Sequence, residues 1–169
     1  MSLDRAKPTI FGALNDFQKG GIDIVDDDPK NYVFSNIFEV ASTSEPYERV
    51  AVAKNFEYVI EAARAEGSSD WYAAAHDEFV LCMDGEIRVD LIKLADDASY
   101  VAPDSEGGHK LKEQPNGQKM GHLVLRRGHM GMLPVGAAYS FSASKPSAMM
   151  IQTIQGPETV HKWAEVCLS

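Results

Sequence analysis

Hydrophobic and polar positions change period several times along this chain, and most of the changes read as short strands. Residues 79–83 are an apolar run, Asp84-Gly85 follows, and Ile87, Val89 and Leu91 then alternate with Glu86, Arg88 and Asp90. A period of two marks a strand with one buried face. Asp-Gly is a favoured two-residue turn because both positions tolerate positive φ, so a hairpin is predicted there. Further strands are predicted over 31–41, rich in β-branched and aromatic residues, over 50–53, 122–126 and 148–154, and near 139–142. Two stretches follow a helical period. Phe56, Val59, Ile60 and Ala63 fall at i, i+3, i+4 and i+7, with Asn55 as cap and Gly67 as close, which leaves Tyr58 and Glu61 facing solvent or a partner. Residues 157–166 read as a second short helix with Pro157 in its first turn. Residues 95–120 are polar, with Gly107-Gly108 and Pro115-Asn116-Gly117, and predict a long surface excursion of the kind usually tied to function.

Many short strands separated by turn signals predict a mainly β sandwich or barrel with one or two short helices. The 169 residues suffice for one domain with a substantial core. Residues 1–30 are polar and end in the run Asp26-Asp27-Asp28-Pro29-Lys30; they read as an N-terminal arm, and 31–169 as a single domain. The net charge of −9 repels phosphate and argues against nucleic acid and anionic membranes as partners. No apolar run approaches the roughly 20 residues of a membrane span, and the first residues lack the apolar core of a signal peptide. A cytoplasmic location is expected. Cys82, in an apolar strand, reads as a buried small hydrophobe, and with Cys167 it gives no disulfide framework.

Two motifs sharpen the picture. Gly128, Pro134, Gly136, Tyr139 and Ala143 fit a pattern of glycine, five residues, Pro-x-Gly, two residues, histidine, three residues and asparagine, with Tyr139 in place of the histidine and Ala143 in place of the asparagine. Upstream, Glu78 stands seven residues before the turn glycine Gly85, and the window 71–74, where a His-x-His pair would precede that glutamate, reads Trp71, Tyr72, Ala73 and Ala74. These stretches resemble the second cupin motif and the end of the first. Over 70–155 the chain resembles a cupin, which implies a cupin-like jelly-roll barrel. The turn residues are kept and three of four metal ligands are replaced.

A mononuclear iron, manganese or zinc site needs imidazole and carboxylate ligands converging on one point. Glu78 and Tyr139 alone are a poor set, so no metal is expected in this chain. The pocket candidates are Trp71, Tyr72, His76, Glu78 and Tyr139. His76 and Glu78 are two apart and share a face if both lie on a strand. One alternative is a stand-alone cupin metalloenzyme with atypical ligands drawn from His76, Glu78, His122 or His129, and Tyr139. Another is a metal-free binding or isomerase cupin in which Glu78 and Tyr139 handle a proton or a sugar-like ligand. The alternative to both for His76 is a hydrogen bond to Glu78. His109 and His161 read as exposed and idle. No Gly-x-Ser-x-Gly elbow is present, and the Gly128–Gly131 segment is a turn rather than a phosphate loop, because no helix follows it.

The stretch Ala51 to Val59 (with Lys54, Asn55, Phe56, Glu57 and Tyr58), running into Trp71, Tyr72, His76, Asp77, Glu78 and Phe79, looks like the small (alpha) subunit of two-component hydroquinone 1,2-dioxygenases, enzymes of bacterial aromatic breakdown. The resemblance implies a metal-free small subunit, no cofactor in this chain, Fe(II) in a larger catalytic partner, and a hetero-oligomer that also allows self-pairing. The stretch 32–38 carries apolar side chains on both faces if it is a strand, so Tyr32, Phe34, Ile37 and Phe38 are the interface candidates. Met130, Met132, Met149 and Met150 read as core filling or as a secondary contact.

Overall fold

Two long strands, β2 (Tyr58–Ala74) and β8 (Ala137–Ile154), run antiparallel to each other through the whole of the protein, described by a computed structural model over residues 36–55 and 57–162. The pairing of β2 with β8 shifts register between Ala65 and Gly67 and again between Ser68 and Trp71. There the sheet bends, and each long strand serves both halves of it.

One half holds β7 (Met130–Leu133), β3 (Glu78–Asp84), the end of β8, the start of β2, β1 (Arg49–Asn55) and β9 (Thr159–Val160). The other holds β6 (Gly117–Arg126), β4 (Glu86–Leu94), the start of β8, the end of β2 and β5 (Gly108–Lys110). Val80, Cys82, Ile87, Val89, Tyr139, Phe141, Met149 and Ile151, drawn from both halves, form one buried cluster between them. The architecture is a cupin-like jelly roll, and its sheet is not closed.

Several expectations need correction. The predicted 84–85 hairpin is absent: β3 and β4 do not pair with each other, and both lie along β8. Gly85, at φ 80°, is the corner between them. A Cβ there would sit 2.1 Å from Ser147 Oγ, so the corner needs both the positive φ and the missing side chain. The helix predicted over 55–67 is strand: 55 ends β1 and 58–67 open β2. Val59 and Ala63 satisfy a period of two as well as a helical one, and pairing with β1 and β8 decided between them. The strand predicted over 31–41 becomes, within the described residues, the helix α1 (Ile37–Thr43). Asn36 caps it by accepting from the backbone N–H groups of Phe38 and Glu39 at 2.9 and 3.2 Å. At the other end, residues 159–160 pair in parallel with β1 instead of forming a helix. The excursion at 95–120 is shorter and better ordered than expected, with a 3₁₀ turn (Asp97–Ser99), β5, and Val101 and Leu111 buried against Ala73, Leu94 and Ala138.

The arm proposed for 1–30, Tyr32 and Phe34, Cys167, and the end of the predicted terminal helix lie outside the described residues. Ile37 and Phe38 are partly buried on α1. Ile37 packs towards Val40, Val50, Val52 and Ala62, and Phe38 towards Ala41 and Ala148. Among the described residues, no helix is long and apolar enough to cross a membrane.

Candidate functional site

A strand places alternate side chains on one face, and Val59, Glu61, Ala63 and Ala65 of β2 are all buried. Glu61 is therefore carried into the interior, and the expectation that it faces solvent is overturned; Tyr58, 60% exposed, does face outward. Glu78 opens β3 and Tyr139 lies near the start of β8; they are 0% and 1% exposed. The sequence pairing of these two as the remnant of a ligand set holds geometrically: the Tyr139 hydroxyl donates to Glu78 Oε2.

What the sequence reading missed lies between them. Arg49, the first residue of β1 and 3% exposed, extends its guanidinium into the same space. Its Nε donates to Glu61 Oε2 at 2.5 Å, its Nη2 to Glu78 Oε1 at 2.8 Å and its Nη1 to the Tyr139 hydroxyl at 3.2 Å. Thr153 Oγ1 donates to Glu78 Oε1 at 2.7 Å, and Thr159 Oγ1 to Glu61 Oε1 at 2.6 Å, which ties β9 into the network. The Tyr72 ring lies 5.9 Å from the guanidinium carbon and stacks on Tyr139 with ring centres 5.9 Å apart. The period-two alternation through Glu61 was the available signal for that residue. Arg49, next to Glu48 and a short apolar run, offered none.

The electrostatics follow from this packing. Burial disfavours the charged form of Arg49, but Tyr139, Glu78 and Glu61 more than reverse that, and its pKa lies well above the usual value. Burial also pushes Glu78 up. The Arg49 charge and the donors Tyr139 and Thr153 win, and its carboxyl falls below the ordinary 4.5. For Glu61 burial wins over Arg49 and Thr159, and its carboxyl is raised. Glu78 accepts from three side chains and Glu61 from two, which is the physical difference between the pair. Burial, then the charge of Glu78, hold the Tyr139 phenol well above its usual range.

The remaining candidates go elsewhere. Trp71, adjacent to Tyr72, points to the other face of β2 and packs against the cluster of Ala73, Leu94 and Leu111. His76 sits in the bend between β2 and β3, so the shared face with Glu78 is not formed and neither is a bond between them. Its Nδ1 meets the Asp77 carbonyl at 3.0 Å, and its Nε2 accepts from the Gly107 backbone at 3.1 Å. His122 and His129 are exposed at β6 and the following turn, away from Glu78, so the atypical ligand set does not converge. His109, expected to be exposed, is half-buried on β5. Cys82 is fully buried as expected; burial, then the charge of Asp84, push its thiol up to about 11. Met149 is core, whereas Met130 and Met132 are 59% and 50% exposed. Among the described residues, no group of three or more His, Cys, Asp or Glu side chains is placed to hold a metal ion. A cleft of about 330 Å³ opens beside the network, walled by Tyr72, Glu48, Glu158 and the Asp70–Lys110 ion pair; Glu78 and Tyr139 do not line it.

Fold and interior together define a jelly roll of the cupin kind whose motif positions meet a buried arginine. Comparison with solved structures goes further. The chain is 62% identical to a chain of hydroquinone 1,2-dioxygenase from Sphingomonas sp. TTNP3 with 4-hydroxybenzoate bound, with a TM-score of 0.88 over 95% of this chain and 97% of that one. It is 48% identical to a chain of hydroquinone 1,2-dioxygenase PnpCD in complex with Cd2+ and 4-hydroxybenzonitrile, with a TM-score of 0.86 over 99% and 100%. The protein belongs to the hydroquinone 1,2-dioxygenase family. It shares its fold alone with a chain of PnpCD in complex with Fe3+, at 12% identity and a TM-score of 0.58, over 83% of this chain and 38% of that one. No family model matches the chain, and no curated protein does.

Proposed function

We propose that this chain is the small, metal-free subunit of a heteromeric hydroquinone 1,2-dioxygenase in the breakdown of aromatic compounds, and that it supports a larger catalytic subunit that holds Fe(II). The observation that carries this reading is the unequal likeness to two chains of PnpCD. One matches this chain end to end at 48% identity, and the other shares only the fold and is matched over 38% of its length. A second, longer cupin-type chain is therefore the natural partner. Iron bound in that partner supplies the activation of dioxygen for ring cleavage.

The residues of this chain fit a supporting part. Glu78 and Tyr139 are sealed from solvent and spent on Arg49, so neither meets a substrate inside the barrel. Met130 and Met132 on β7, with Met120 and Val124 on β6, are exposed apolar side chains on strands that each pair with one neighbour. Open edges of this kind are suited to a partner subunit, and Ile37 and Phe38, partly exposed on α1, offer a second, separate surface for one. The assembly works in the cytoplasm and takes neither nucleic acid nor a membrane as partner, in keeping with the net charge of −9.

The test is co-expression with a cupin-type chain of roughly twice this length, followed by assay of hydroquinone cleavage and iron analysis of each separated subunit. Cleavage that needs both chains, with the iron on the larger, is the expected result. An iron-loaded small chain that cleaves hydroquinone alone would overturn the assignment.

A further inference from the structure

The cupin motif sets four ligand positions around a metal, and in this chain three of them meet one side chain. Glu78 is the motif glutamate, Tyr139 stands for the histidine of the second motif, and Tyr72 lies in the window of the His-x-His pair. Glu78 accepts from Arg49 Nη2 at 2.8 Å, Tyr139 accepts from Nη1 at 3.2 Å, and the Tyr72 ring flanks the guanidinium carbon at 5.9 Å. The fourth falls in the same window as Tyr72, where Ala73 and Ala74 are buried and carry no ligand atom.

We propose that the Arg49 guanidinium is the resident cation of this barrel, occupying the place of the motif's metal, and that Glu61, Glu78, Tyr139 and Tyr72 form a site selective for a guanidinium-type cation and closed to divalent metals.

Shape supports this as well as charge. A guanidinium is a planar fork with separate donors, whereas a metal ion pulls its ligands to one point. Here Nε, Nη1 and Nη2 each take a different partner, on β2, β8 and β3. Tyr139 is suited to this in a way histidine is not. Its hydroxyl accepts from Nη1 and donates to Glu78, closing a ring of hydrogen bonds with one atom. The backbone is fitted to the same group. A Cβ on Gly108 of β5 would lie 2.1 Å from Nη1, so that position leaves room for the fork and for nothing more. A metal does not fit this donor set. Its place is filled by a cation of the chain's own, and the two carboxylates already accept from that cation.

The proposal stands on this chain alone and does not depend on the subunit reading. Its test reads stability and binding rather than ring cleavage, so the two fail separately. In the full-length chain, Arg49→Ala removes the fork and leaves a gap with the outline of N-ethylguanidinium. The thermal midpoint should fall by roughly 10 °C. Millimolar N-ethylguanidinium should restore about half of that loss in a saturable way, ethylammonium should restore much less, and the wild-type chain should respond to neither. Arg49→Lys, which keeps the charge and loses the fork, should be nearly as unstable as Arg49→Ala. If Arg49→Ala is insoluble, the same rescue is read as recovery of folded chain on refolding with N-ethylguanidinium. Absence of rescue in either format overturns the proposal. So does stabilisation of Arg49→Ala by Mn2+ or Zn2+ equal to that by N-ethylguanidinium, or uptake of one equivalent of either metal by the wild-type interior.

Discussion

Arg49 and Glu78 meet at 2.8 Å across strands that share no backbone hydrogen bond, for β1 pairs with β2 and β9, and β3 with β7 and β8. The ion pair thus joins parts of the sheet that the ladders leave separate. Removing one member of a buried pair strands the other charge, at a cost of about 3–5 kcal/mol. Glu78→Ala should lower stability by that amount, measured from urea unfolding. Arg126→Ala breaks a pair whose members are 68% and 57% exposed and should leave the midpoint where it is. Equal effects of the two substitutions would show that the interior network does not hold the fold.

The same network predicts how stability depends on acidity. Glu78 titrates below its ordinary 4.5 in the folded chain, so the unfolded chain binds more protons around and below that pH. Its contribution is present above pH 4.5 and is lost as pH falls. Glu61 has the opposite sign. Its carboxyl is raised above 4.5, so its contribution is complete below that pH and is lost as pH rises through the folded value. Urea midpoints followed from about pH 3 to pH 8 should show Glu78→Gln flattening the acid side of the curve and Glu61→Gln flattening the side above 4.5. Identical curves for the two variants would contradict the assignment of charge within the cluster.

The legible part of this molecule was its turns and motif spacing, and the illegible part was its buried charge. Gly85 and Gly136 were readable as turn residues, and their backbones lie at φ 80° and 77°, but the chain makes a corner at Gly85 and not the predicted hairpin. Glu78 and Tyr139 were readable as a facing pair because the motif fixes their distance from those glycines. Arg49 and Glu61 look like ordinary surface charges in sequence, since only the partner, 12 residues away, makes their burial tolerable. Asn36 was a helix cap hidden inside a β-rich run, and the run over 56–63 satisfied two periods at once. In both places long-range packing, which a local window does not contain, made the choice.

Gly85 offers a way to separate strain from collision. Gly85→Ala adds a Cβ at φ 80° and drives it into Ser147 Oγ and Cβ, at 2.1 and 2.8 Å. The single variant should be poorly soluble. In Gly85→Ala with Ser147→Gly both colliding atoms are gone, and about 1–2 kcal/mol of backbone strain should remain. Circular dichroism and urea unfolding of the two variants check this. A double variant no better than the single one would mean that the corner is set by φ alone.

The last prediction concerns the exposed face of β7. Gly131 and Leu133 point inward and are buried, which turns Met130 and Met132 out to solvent at 59% and 50% exposure. Nothing in the described part of the chain covers them, and a methionine side chain adapts to an irregular partner surface. Because both are outside the core, a charge there should spare the fold of the chain itself. Met132→Asp should therefore leave the thermal midpoint of the isolated chain unchanged and weaken its assembly with the proposed larger subunit at least tenfold, a loss of about 1.4 kcal/mol or more. Sedimentation of the co-expressed pair reads the assembly, and hydroquinone cleavage should fall in proportion to the complex lost. A variant complex of unchanged affinity would place the subunit contact elsewhere, with α1 and its residues Ile37 and Phe38 as the next surface to charge.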